Sequence, residues 1–172
     1  MKGRIEARKF FSTLIIIVLV IMTTGCTEKK TETTGTEVIS DLFNDPWNAT
    51  IEFTYVPPIS SEYNPNPQSY NYLRGRVSHV NPADWRVAVY IYVNFGWRTK
   101  PYLDNTTTII LPNGTWACDI TTGGIDYAAT EIAAFLIQSC YYPPLMEGKY
   151  NVPLPYNLYK FSVAHVNTTR SL

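Results

Sequence analysis

Apolar and polar residues alternate with a period of two along much of the chain after residue 50. In the clearest stretch, residues 86–93, one set of alternate positions is aliphatic and the other carries two tyrosines: Val87, Val89, Ile91 and Val93 against Ala88, Tyr90 and Tyr92. Successive side chains of a β-strand point to opposite faces, so this period predicts a strand. We expect its aliphatic face to lie in a core and its tyrosine face to be half exposed.

Similar patterns predict further strands at 50–56, 72–80, 107–111, 115–120, 131–138 and 161–166. Gly75 marks a bulge or a close backbone approach in the second of these. Pro112, Asn113 and Gly114 favour a tight reversal, which makes a hairpin of the strands on either side. Residues 126–137 also fit a helix, but we predict one helical turn at 126–130 and a strand after it.

The number and order of the predicted strands indicate the fold class. The prolines between 143 and 155 exclude that segment from interior sheet, because proline lacks a ladder donor. Seven or eight short strands without strand–helix–strand alternation predict an all-β protein, specifically an antiparallel immunoglobulin-like (Ig-like) β-sandwich.

The first 25 residues have the pattern of a signal peptide, with a basic start and an apolar run from Leu14 to Met22. That run is shorter than the roughly 20 apolar residues of a membrane-spanning helix, which makes an uncleaved signal anchor the alternative. The following Thr24, Gly25 and Cys26 resemble the lipobox of prokaryotic lipoproteins, while Thr23 departs from the usual bacterial Leu and allows an archaeal source. The resemblance implies lipidation of Cys26.

This organisation predicts three parts: a lipoprotein signal peptide at 1–25, a polar tether at 26–37 and a single β-sandwich domain at 38–172. The tether is Thr-rich and offers no large apolar side chain to bury. The protein is then extracytoplasmic and anchored in the membrane at the cell surface by its N-terminal lipid.

Composition narrows the possible partners. Without residues 1–25 the chain has ten basic and thirteen acidic residues, a formal charge of −3. Nucleic acid is therefore excluded as a partner, since phosphate binding needs a basic field. Four Asn-x-Thr sequons in the exported part predict N-glycosylation, at Asn48, Asn105, Asn113 and Asn167.

Lipidation of Cys26 would leave two cysteines in an oxidising compartment. We predict a disulfide between Cys118 and Cys140, with two small buried thiols as the alternative. In the hairpin, Cys118 shares a face with Trp116 and Ile120, which places it inward.

The stretch from Gly75 to Pro144 resembles a module of secreted and cell-surface microbial proteins, some of them carbohydrate-active enzymes that carry it beside a catalytic domain. The matching residues are Gly75 and Val77; Asn81 and Pro82; Arg86 to Ile91; Gly96, Trp97, Thr99, Lys100 and Pro101; Gly114 and Trp116; Asp119 to Gly124; Ala129 and Thr130; Ile132 to Phe135; and Tyr142 to Pro144. The family carries a second tryptophan where this chain has Arg98. The resemblance implies a non-catalytic, Ig-like β-sandwich.

Two groups of residues are candidates for binding. Sugar rings stack on flat aromatic side chains, so one outer face would form a glycan platform from Tyr90, Tyr92, Trp97 and Tyr102. The alternative is that these aromatics only cover the sheet. Asp119 and Asp126 are weak calcium candidates, and the alternative is that they cap backbone donors in a Gly-Gly turn.

Catalytic motifs are absent from the sequence. We therefore predict no enzyme, no metal and no cofactor, and a non-catalytic binding or structural module whose partner is a polysaccharide or a surface protein. A glycoside hydrolase that uses Asp119 and Glu131 is the less favoured alternative.

Overall fold

The computed structural model describes residues 46–59 and 72–170. The predicted signal peptide 1–25, Cys26 and the tether 26–37 lie outside the described residues. Within the two described ranges, eight strands and one short α-helix follow in chain order: β1 Thr50–Tyr55, β2 Tyr72–Ser78, β3 Trp85–Val93, β4 Gly96–Lys100, β5 Thr108–Ile109, β6 Thr115–Asp119, β7 Glu131–Gln138, α1 Tyr156–Phe161 and β8 Ser162–Thr169. Single 3-10 turns lie at Pro46–Asn48 and Asp126–Ala128.

The strands form two antiparallel sheets. A small sheet has the order β1-β2-β6, and a large sheet has the order β4-β3-β7-β8, with β5 also paired to β3. The first two strands share one sheet and β3 lies beside β7 in the other, as strands A, B, C and F do in an immunoglobulin-type sandwich. The predicted all-β class and the count of seven or eight strands are confirmed.

The main core lies between the two sheets. The aliphatic face of β3 points into it, with Val87, Val89 and Ile91 fully buried, as their alternation predicts. From the small sheet side come Trp116 and Cys118, together with Ile120, each no more than 2% exposed. Both inward faces are therefore those expected from the sequence.

Gly75 is a close-approach site, as predicted. A Cβ atom there would lie 2.3 Å from the backbone oxygen of Glu52 and 2.3 Å from the ring of Trp116.

The predicted reversal before β6 is present, since Gly114 donates to Leu111 O at 2.8 Å with a φ of +80°. Only a residue without Cβ fits such a backbone at low cost. The predicted hairpin is wrong, because β5 pairs with β3 and β6 with β2, and only the bridge between Ile110 and Trp116 crosses the turn.

Among the strands and the α-helix, two elements were not predicted. β4 is short and its sequence mixes Trp97 with Arg98 and Lys100, so it has no clear apolar face. Helix α1 has only six residues and follows Pro155 at its N-cap, inside a proline-rich segment without periodicity. The helical turn predicted at 126–130 is present as a 3-10 turn at Asp126–Ala128, strand β7 is confirmed, and β8 continues past the predicted end at 166 to Thr169.

The proline-rich segment 141–161, here called the strap, covers the outer face of the large sheet. A second buried cluster lies under it and joins sheet residues Ala88, Tyr90, Ala133, Phe135 and Ile137 to strap residues Met146, Leu154 and Leu158. The outer face of β3 is thus buried as well. The expectation of a half-exposed tyrosine face is wrong for Tyr90, which is 0% exposed.

The strap also pairs with the free edge of β4. Gly148 donates to Trp97 O at 2.8 Å, and Thr99 donates to Met146 O at 2.9 Å. The hydroxyl of Thr99 accepts a further bond from the Met146 backbone at 2.8 Å. An open strand edge is a site of unwanted pairing, and the strap closes this one.

We predict that the strap is held by Leu158. Leu158→Ala removes a fully buried side chain of α1 and should lower the free energy of unfolding by about 2–5 kcal/mol. Tyr156→Ala, on the same helix at 78% exposure, should change it by less than about 0.5 kcal/mol. Urea unfolding followed by tryptophan fluorescence measures both, and equal effects of the two variants would contradict this role of the strap.

Candidate functional site

The β3–β4 hairpin presents an aromatic residue in an unfavourable backbone conformation. Val93 pairs with Gly96, so Asn94 and Phe95 form a two-residue loop. Their φ angles are 49° and 64°, which fits the type I′ turn preferred in such hairpins. Asn tolerates the left-handed region, but a bulky side chain there is an outlier that glycine would avoid. Phe95 is nevertheless 58% exposed, so its ring contributes little to the core.

Two aromatic pairs lie at this end of the large sheet. The rings of Tyr92 and Trp97, which are paired across the hairpin, lie with centroids 5.3 Å apart and planes tilted by 57°. Phe95 meets Tyr150 of the strap at 5.6 Å, and Tyr150 is 70% exposed. The backbone N–H of Asn151 donates to Phe95 O at 2.8 Å, which fixes the strap against the turn. We call Tyr92, Phe95, Trp97 and Tyr150 the hairpin aromatic cluster.

The predicted glycan platform of four aromatics does not form as one surface. Tyr90 lies under the strap, where its hydroxyl donates to Pro144 O at 2.8 Å and burial raises its pKa. Tyr92 and Trp97 are half-buried and adjoin each other. Tyr102 is 53% exposed but follows the far end of β4, whose five residues separate it from the turn by roughly 15 Å.

The sequence contained a signal for the hairpin turn that the prediction did not use. Asn94 stands between two runs that alternate in polarity, and asparagine is favoured where a two-residue loop needs a positive φ. The position of Phe95 in the hairpin loop could have been predicted from that turn. The position of Tyr150 could not, because this residue reaches the cluster through tertiary packing of a distant segment.

The far end of β4 carries a buried ion pair between Lys100 and Asp126. The two side chains are 5% and 4% exposed. The ammonium of Lys100 also donates to Thr122 Oγ1 at 3.0 Å, and the carboxylate of Asp126 accepts from the N–H of Gly123 at 2.8 Å. Both charges are therefore paired and hydrogen-bonded, as buried charges must be.

Both weak calcium candidates accept hydrogen bonds from groups of the protein itself. Asp126 is committed to Lys100, and Asp119 accepts from the N–H and the hydroxyl of Thr121 at 2.9 and 3.0 Å. The alternative prediction, in which both aspartates cap donors of the Gly-Gly turn, describes the observed bonds. Within residues 46–59 and 72–170, no group of three or more His, Cys, Asp or Glu side chains could hold a metal ion.

The predicted Cys118–Cys140 disulfide is wrong, because Cys118 is a free thiol. It points from β6 into the core between the sheets, whereas Cys140 is exposed just after the end of β7 in the other sheet. Burial raises the pKa of the Cys118 thiol to about 12. A thiol of that kind stays protonated and is a poor nucleophile at neutral pH.

The four sequon asparagines, Asn48, Asn105, Asn113 and Asn167, are all exposed. Each is accessible in the folded chain, as attachment of a glycan requires. Modification itself stays a prediction.

The described residues contain no helix long and apolar enough to cross a membrane. Comparison of the chain with protein-family models, curated proteins and solved structures finds no match. The hairpin aromatic cluster is therefore judged on its own geometry.

We predict that the Lys100–Asp126 pair is required for stability. Asp126→Asn keeps the shape and an acceptor for Gly123, but it leaves the buried Lys100 charge without its partner. The expected loss in the free energy of unfolding is about 3–5 kcal/mol.

Glu147→Gln is the matched control, because Glu147 pairs with Lys149 at 3.7 Å on an exposed surface. Its effect should stay within about 1 kcal/mol. Urea titration at neutral pH distinguishes the two, and an Asp126→Asn protein as stable as the control would refute the prediction.

Proposed function

We propose that this protein is an extracytoplasmic surface lipoprotein whose β-sandwich binds glycans through the hairpin aromatic cluster and catalyses no reaction. The observation that carries the proposal is the exposed ring of Phe95 in a left-handed backbone conformation. Strained residues of this kind concentrate at functional sites, where the surrounding structure holds them in place.

Stability alone does not account for Phe95. The left-handed conformation costs a residue with a side chain about 1–2 kcal/mol, and glycine avoids that cost. The ring offsets part of this through its contact with Tyr150, an aromatic pair of about 0.5–1.5 kcal/mol. The two terms nearly cancel, so folding gains little from an aromatic residue here. Contact with a ligand is the remaining reason for a large flat side chain at this point.

The cluster suits the face of a sugar ring. Tyr150 and Phe95 are mostly exposed, and the strap bond from Asn151 to Phe95 O fixes their backbones. Aromatic rings lose little conformational entropy on binding, because they have only two side-chain torsions. A rigid, solvent-facing aromatic surface is what stacking on the C–H face of a sugar needs.

A second candidate function is contact with another surface protein. Around α1 and the start of β8 lie apolar side chains that are partly or largely exposed: Tyr156, Tyr159, Phe161 and Val163. Apolar patches of this kind mark interaction surfaces in many proteins. A glycan screen separates the two functions, because a protein-contacting module retains no polysaccharide.

We predict that Phe95→Gly weakens glycan binding without weakening the fold. Glycine suits the turn, so the free energy of unfolding should stay within about 1 kcal/mol of the parent. Retention on an immobilised panel of polysaccharides and cell-wall glycans should fall strongly, since the cluster loses one of its two mostly exposed rings.

The control variant is Tyr142→Ala, which removes a 92% exposed aromatic outside the cluster and should keep full retention. If the parent protein binds no glycan on the panel, or if Phe95→Gly binds as well as the parent, the hairpin aromatic cluster is not a glycan site.

We predict lipid attachment at Cys26. The mature protein should partition into the detergent phase of a Triton X-114 extract, and its N-terminal peptide should carry the mass of acyl chains. Cys26→Ser should lose the acyl mass, while Thr27→Ala should keep it. A parent protein that retains residues 1–25 and carries no acyl mass would show that the segment is an uncleaved anchor.

A further inference from the structure

A cavity of about 480 Å³ opens at the end of β4 opposite the hairpin turn. It is enclosed by β4, the residues after it, the turn at 122–126 and the strap. The residues that bear on its chemistry are Arg98, Lys100, Tyr102, Asp126, Met146 and Glu147. Its volume is in the range of small-molecule binding sites.

One cation that lines this cavity, Arg98, has no ion-pair partner among the described residues. Lys100 and Asp126 neutralise each other, and Glu147 forms its ion pair with Lys149. In the part of the chain described here, Arg98 has no acidic partner within 4.0 Å. Its Nε atom is buried and makes no hydrogen bond. A buried guanidinium donor without an acceptor is uncommon in folded proteins and needs an explanation.

The strap fixes the position of the Arg98 guanidinium. A Cβ atom on Gly148 would lie 2.7 Å from Arg98 Cζ and 2.8 Å from one of its terminal nitrogens. Gly148 has a φ of +79° and pairs with Trp97, so glycine is needed both for the backbone and for the space. The guanidinium is held against the strap backbone before any ligand arrives.

We propose that this cavity binds a carboxylate-bearing sugar of the uronic acid class, with Arg98 receiving the carboxylate. Guanidinium groups bind carboxylates through two parallel N–H bonds, and here the terminal nitrogens of Arg98 would supply them because its Nε atom is buried. Tyr102, which is 53% exposed at the cavity, supplies a flat ring for the sugar. This site lies apart from the hairpin aromatic cluster and goes beyond the function proposed for that cluster.

The test is calorimetric titration of the full-length protein in detergent with D-glucuronate and, separately, with D-glucose. Glucuronate should bind and glucose should not, and added salt should weaken the binding. Arg98→Gln removes the charge with little change in shape and should weaken glucuronate binding roughly tenfold or more. Arg98→Lys keeps the charge without the fork and should give an intermediate loss.

Two controls make the result specific. Arg74→Gln removes an exposed arginine of β2 in the small sheet and should bind glucuronate like the parent. Phe95→Gly should also bind it like the parent, so failure of the hairpin site and failure of the cavity site are distinguishable. The absence of glucuronate binding, equal binding of glucose, or full binding by folded Arg98→Gln would each overturn the proposal.

Discussion

The structure depends on the burial of both faces of the large sheet. β3 and β7 carry apolar side chains inward toward the small sheet and outward under the strap, so this sheet needs two covering layers. The second layer is a proline-rich segment, which supplies Met146, Leu154 and Leu158 as anchors without adding a strand to the face. Because hydrophobic burial scales with the apolar area removed from water, the strap cannot leave without exposing the outer faces of β3 and β7.

Both candidate sites follow from where the strap is forced to lie. At one end of β4 it brings Tyr150 against Phe95, and at the other it lines the cavity beside Arg98. Between them its backbone hydrogen bonds close the β4 edge. The strap covers a sheet face, protects a strand edge and lines two sites. It can do all of this because β4 has only five residues, so both ends of β4 lie within reach of the strap.

Much of the sandwich could be predicted because alternation determines which residues of a strand share a face. It placed Val87, Val89 and Ile91 in the core, and Gly75 and Gly114 were recognised from their backbone freedom. Alternation does not say what covers the second face, which is why Tyr90 was expected at the surface. The strap has no period of its own, so its docking and the position of Tyr150 depend on long-range packing. The separation of Cys118 from Cys140 also depends on long-range packing, since the two cysteines belong to different layers of the sandwich.

Arg98 and Lys100 lie two residues apart on the same strand and show what folding requires of a cation. Lys100 is buried, and the fold supplies Asp126 and Thr122 to satisfy its charge. Arg98 is half-buried and held in place, yet the described residues supply no acceptor for its Nε atom. A sequence shaped only by stability would pair or remove that group, just as it would place glycine rather than Phe95 in the hairpin turn. These two departures from the most stable choice lie three residues apart, and both contact the strap, which is why we propose binding sites beside each of them.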